Sequence, residues 1–317
     1  MFIITLLTTG TLLAYAVPGF LFTKAKVFRE EYLVGLTRLL VYLCSPCMVL
    51  YSFQKATKTI QDGSVVKAEL LMNVGIFSLF LIAAMAVFIL LGYGLFHKYY
   101  ENSDYRIYTI AFICSNCGFF GVPLLEATMP DHPEALIYSS AFSVLMNIFF
   151  WTVGCFLISG DKRYISLRGI FLNPVTIATY IGLPLLIAEV VLPDVLYTMV
   201  ALVGQFSTPL CMIILGIRLA TSDFRQVFLR PVQYLPVLFK NFIVPLMVFG
   251  CLMLLPLNLV LKQAIFLLFL TPAATMVLSF AELQGKSQKT ASHVVLISTI
   301  LTIVSIPTIS LLLPLLH

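Results

Sequence analysis

Ten long apolar runs joined by short polar loops decide what kind of solvent this chain folds in. The runs cover approximately 2–22, 33–53, 70–96, 105–128, 135–158, 171–192, 196–219, 231–255, 262–284 and 289–315. Each is close to the roughly 20 residues that cross about 30 Å of hydrocarbon as a helix. They are too long for barrel strands, and a lone strand leaves its backbone unpaired in lipid, so the form is helical. Composition agrees, with 60% hydrophobic and 10% charged residues among 317. A soluble domain carries about a quarter charged residues. The expected class is an all-α polytopic membrane protein of the cell membrane, with the lipid bilayer as its principal surroundings.

The net charge of +5 is no sign of nucleic-acid binding, because the basic residues sit in the loops rather than on one face. Loops 1–2, 3–4, 5–6, 7–8 and 9–10, with their adjoining helix edges, hold fourteen Lys and Arg; the other loops hold four: Lys55, Lys58, Lys67 and Lys262. The positive-inside rule places the first set in the cytoplasm and both termini outside. The first run has no basic residue before it and Lys24, Lys26 and Arg29 after it. That is the reverse of a cleaved signal, so the run is expected to be retained as a span. All seven cysteines lie within apolar runs, which argues against a disulfide framework.

The chain reads as two halves. Ser45-Pro46-Cys47-Met48 in helix 2 matches Ser207-Thr208-Pro209-Leu210-Cys211-Met212 in helix 7, and helices 1 and 6 each carry an internal proline, Pro18 and Pro184. Five spans per half is odd, so the halves insert with opposite orientation, as in the inverted repeats of secondary transporters. The expected organisation is a first repeat over 1–158, a cytoplasmic linker over 159–170 and a second repeat over 171–317.

Helices 4 and 9 carry the chemistry. Helix 4 places Ser115, Asn116, Gly118, Gly121 and Pro123 mid-span, and helix 9 places Pro272, Ala273, Ala274 and Thr275 at the matching position. Glycine weakens a helix, and proline removes a donor while clashing with the preceding turn. Interrupted helices at equivalent positions of two halves mark a transporter's binding site. The second half of each broken helix offers unpaired amides and the positive end of its dipole, which attract an anion. The alternative is a pair of kinked structural helices, since Pro and Gly are common in spans.

Asn116-Cys-Gly-Phe-Phe-Gly121-Val122-Pro123-Leu124-Leu125 resembles the Asn-x-x-x-x-Gly-hydrophobic-Pro-Leu-Leu stretch of the auxin efflux carrier family, which includes plant PIN-type carriers and many bacterial permeases. Asn173-Pro174-Val175-Thr176 resembles that family's opening of helix 6, and Pro272 with Phe280-Ala281 its helix 9. The resemblance covers nearly the whole chain. It implies ten transmembrane helices as two inverted five-helix repeats, with broken, crossing helices 4 and 9. It further implies a scaffold of helices 1, 2, 6 and 7, a moving bundle of the other six, and a homodimer. Ser115 stands where the plant carriers have proline, Ala273 where they have Gln, and their long cytoplasmic loop is absent. The match is closer to bacterial members, many described as malate or other carboxylate permeases.

The function expected is a secondary transporter of a small organic anion, auxin-like or a dicarboxylate such as malate, working by alternating access. An ion-coupled (sodium or proton) symporter or antiporter of related fold and a non-transporting ligand sensor are the alternatives. No nucleotide-binding motif, cofactor motif or convincing nucleophile–base set is present, so an ATP-driven pump or an intramembrane enzyme is not expected. Lys240, midway along helix 8, either balances the charge of the cargo or makes a structural pair with a carboxylate such as Glu282. Asn147 is the mid-span asparagine favoured as pocket lining over Asn73 and Asn241. Cys44-Ser-Pro-Cys47 and Cys114-Ser-Asn-Cys117 lie in apolar spans and read as small hydrophobes rather than a metal or redox site. His293 reads as structural.

Overall fold

The computed structural model describes residues 1–161, 163, 165–223, 227–228 and 231–316. Lys162, Arg225 and Arg230, three of the basic loop residues, lie outside the described residues. The helices are α1 (Phe2–Lys24), α2 (Tyr32–Gln61), α3 (Lys67–Tyr99), α4 (Ser103–Ile113), α5 (Gly121–Thr128), α6 (Pro133–Ser159), α7 (Pro174–Ile187), α8 (Asp194–Thr221), α9 (Pro231–Leu254), α10 (Leu259–Leu270), α11 (Thr275–Gln284) and α12 (Gln288–Leu315). Seven of them, namely α1, α2, α3, α6, α8, α9 and α12, are long and apolar enough to cross a membrane. The fourth apolar run is split into α4 and α5, and the ninth into α10 and α11.

The helix ends follow from short-range chemistry. Asn173 caps α7 by accepting from the Val175 amide at 2.9 Å, with Pro174 at the first helical position. Asn102 and Asn258 cap α4 and α10 in the same way. Internal prolines accompany four of the irregular turns, whereas the π-turn Phe150–Gly154 in α6 has no proline after it. Pro18 and Pro209 each follow an interruption, at Tyr15 in α1 and at Phe206 in α8. Pro46 and Pro245 each follow a five-residue π-turn, Leu40–Cys44 in α2 and Phe239–Ile243 in α9. A proline cannot return a hydrogen bond to the preceding turn, so the backbone rearranges there.

Packing divides the helices into lipid-facing and enclosed ones. α3 buries one stripe that includes Leu70, Phe77, Leu81 and Phe88, while Leu79 and Leu90 on its other side are about 70% exposed. Beyond Lys262 and Gln263, α10 is apolar on every side and buried from Ala264 to Leu270, as expected of a helix enclosed by others. α1 and α8 cross so closely that a side chain at Gly216 would meet the Ala16 carbonyl, and one at Gly19 the Ile213 carbonyl. α8 also approaches α2, with Gly204 against the Met48 backbone.

The α1–α8 crossing generates a prediction. Gly216→Leu should lower stability by about 1–3 kcal/mol, the usual cost of overpacking. It would be read as a lower unfolding midpoint in detergent, and an unchanged midpoint would contradict the close approach.

Candidate functional site

The two interrupted helices meet at their breaks. Ser115 and Ala273 form an isolated antiparallel bridge. The Asn116 amide donates to the Pro272 carbonyl at 2.8 Å, and the Ala274 amide to the Cys114 carbonyl at 2.9 Å. The Ala273 amide donates to Ser298 Oγ on α12 at 2.9 Å, and that hydroxyl donates in turn to Asn241 Oδ1 at 2.7 Å. The crossing therefore consumes three of the amides that the sequence suggested were open to a ligand. Other amides remain. Among the described residues, those of Cys117, Gly118, Phe119, Thr275 and Met276 take no backbone carbonyl.

α5 begins at Gly121, five residues beyond Asn116 rather than directly at the crossing. The reason is a turn in which the Asn116 carbonyl accepts from both Phe120 and Gly121, at 3.2 and 3.1 Å. α11 begins at Thr275 as expected.

Two cavities flank the crossing. The first, of about 120 Å³, is lined among others by Ser115, Asn116, Gly118, Asn147, Ala274 and Thr275. The second, of about 570 Å³, is lined by Tyr51, Pro123, Glu126, Gln205 and Thr208 among others. Met48 borders both. Along α2 the lining passes from Thr37 in the first cavity through Met48 to Tyr51 in the second; along α8 it passes from Gln205 in the second to Cys211 and Arg218 in the first. The cavities thus lie on opposite sides of the crossing. α5 runs toward the second and α11 toward the first.

Two polar atoms in the first cavity's wall lack a protein partner. Asn116 is buried, with Nδ2 unbonded. Asn147 is buried with Nδ2 on Thr176 Oγ1 at 3.2 Å and Oδ1 unbonded. A buried amide without a partner costs free energy, so these atoms are poised for a ligand or water. Thr275 and Met276 bring the amino-terminal end of α11 to the same space. Gly118 lies close to the Met48 methyl, which an added Cβ would push aside at 2.8 Å.

Lys240 stands behind the crossing, not in either cavity. It is fully buried, and Nζ donates to Ser115 Oγ at 2.8 Å and to the Phe269 carbonyl at 3.0 Å. The ammonium ties α9 to the last residues of α10 and to the first break, and favours the negative end of the α10 dipole. The pairing with Glu282 weighed from sequence does not form; Glu282 binds Arg218 Nη1 at 2.6 Å instead. The π-turn of α9 lets the successive residues Lys240 and Asn241 both point inward, each 0% exposed. Pro123 lines the second cavity, apart from the other candidates, and Gly121 packs beside Leu268.

Sequence reasoning missed Arg218, the only charged residue lining the first cavity among those described. It also missed the network on Glu126, which accepts from Lys55 at 3.1 Å and from Tyr51 at 3.2 Å. Among the described residues no cluster of His, Cys, Asp and Glu suits a metal ion.

Residues 8–310 match the family model described as membrane transport protein. No curated protein matches the chain.

The Lys240 bridge is testable. Lys240→Met leaves Ser115 Oγ and the Phe269 carbonyl without their donor. Stability should fall by about 1–3 kcal/mol, read by thermal unfolding in detergent. Unchanged stability would remove the bridge from the account of the crossing.

Proposed function

The chain belongs to the membrane transport protein family, that of the auxin efflux carriers, and from that premise we propose that it is a secondary transporter of a small organic anion working by alternating access. The observation that carries this reading is the first cavity: the unbonded Asn116 Nδ2 faces the same space as the open amides of the α11 amino terminus. Three to four N–H donors without a compensating carboxylate suit a carboxylate of the cargo. Such a site presents dipoles to its anion, with the Lys240 ammonium behind the crossing and Arg218 already paired with Glu282. It binds weakly, which suits a carrier that must release what it binds.

In this reading the chain forms ten transmembrane helices in two inverted repeats, 1–158 and 171–317. The crossing of α4–α5 with α10–α11 and the opposite courses of α2 and α8 support it. The first cavity opens toward the basic loops and is the cytoplasmic one; the second faces outside, as do both termini. α1, α2, α7 and α8 form the scaffold, the remaining helices move against it, and two copies associate as a homodimer, as in the family.

Two measurements test this. Counterflow of radiolabelled malate in proteoliposomes should be saturable. Asn116→Ala should weaken apparent affinity by about 10- to 150-fold, the equivalent of about 1.5–3 kcal/mol for one hydrogen bond to a charged group. The backbone amide of residue 116 still makes the crossing bond, so the fold should persist. Equal affinity in the variant would exclude the site. For topology, a cysteine at Lys286 should be blocked only by membrane-permeant reagents and one at His132 by impermeant ones. The reverse pattern would overturn the orientation.

A further inference from the structure

Two ion pairs sit at equivalent places on either side of the crossing. Lys55 on α2 binds Glu126 on α5 at 3.1 Å, and Arg218 on α8 binds Glu282 on α11 at 2.6 Å. Each joins a helix that passes beside the crossing to the second half of a broken helix. The sequence positions correspond: Lys55 stands nine residues after Pro46 and Arg218 nine after Pro209. Counted from the bridged residues Ser115 and Ala273, Glu126 and Glu282 each lie about three turns into the second half of their broken helix.

Each pair also borders its own cavity. Glu126 lines the second, with Tyr51 donating to its carboxylate at 3.2 Å and Gln205 Nε2 donating to the Tyr51 hydroxyl at 3.0 Å. Arg218 lines the first, and its guanidinium takes both Glu282 oxygens, at 2.6 and 3.3 Å. All four side chains are partly exposed, so neither pair is a buried structural bridge of fixed geometry. A half-exposed pair is worth little in isolation. That makes it suited to breaking and re-forming in each cycle. Both pairs are made here, and both sides of the crossing are held to the neighbouring helix.

We infer that Lys55–Glu126 and Arg218–Glu282 are the outer and inner gate latches of the carrier, released alternately as α5 and α11 swing away from α2 and α8. The inference rests on the alternating-access reading above. Opening the second cavity separates Glu126 from Lys55 while Glu282 stays on Arg218; opening the first does the opposite. The pairs act on the balance between the two open states.

Cysteine accessibility tests this without any substrate, so its outcome is independent of which anion is carried. Reporter cysteines are placed at Thr8, in the second cavity, and at Ser279, in the first. Glu126→Gln should raise the labelling rate at position 8 and lower it at 279. Glu282→Gln should do the reverse. The shift expected is about two- to fivefold, the size such a pair provides. The exchanged pair, Lys55→Glu with Glu126→Lys, should return both rates toward the parent. Rates that do not change, or that rise at both reporters in both variants, would overturn the latches, whereas absence of malate counterflow with reciprocal labelling would leave them standing and refute only the cargo assignment.

Discussion

A broken helix inside a membrane must still pair its backbone, and that requirement organises this structure. Lipid offers no water to the amides and carbonyls freed at a break. Here the two breaks satisfy one another through Asn116 to Pro272 and Ala274 to Cys114, with Ser298 taking the Ala273 amide. Lys240 then supplies donors to Ser115 and Phe269. Removing either break would strand the other. The amides left over are a small fixed set, at the start of α11 and in the turn before α5. The proposed anion site is this remainder.

Much of the architecture was legible because prolines and glycines are local instructions. Pro272 and the Asn116–Pro123 stretch marked both breaks, and Asn173-Pro174 marked the cap of α7. The assignment of individual amides was not legible, because each depends on which neighbour crosses the gap. Lys240 shows why: its burial could be read from its place in an apolar run, but its partners lie on α10 and at the first break, brought in by the π-turn of α9. In the sequence Glu282 reads as a candidate partner of Lys240, and nothing marks Lys55 and Arg218 as the partners of Glu126 and Glu282 until the breaks are known to cross.

The arrangement also shows how charges near the crossing are held. Lys240 is buried behind it with its ammonium on Ser115 and the Phe269 carbonyl, since a charge left unpaired there would cost several kcal/mol. The ion pairs stand away from it, at the walls of the two cavities, where partial exposure lowers their cost. Met48, bordering both cavities beside Gly118 and Gly204, fills the space between them with an adaptable side chain. Membership of a membrane transport family and this two-sided geometry point the same way.

Solid-state NMR of the reconstituted, isotopically labelled protein during a malate titration reaches the central claim most directly. The resonances of the Thr275 and Met276 amides and of the Asn116 side-chain amide should shift together and saturate at one concentration. Saturable shifts confined to residues away from the crossing, with these three unmoved, would contradict an anion held between the broken helices.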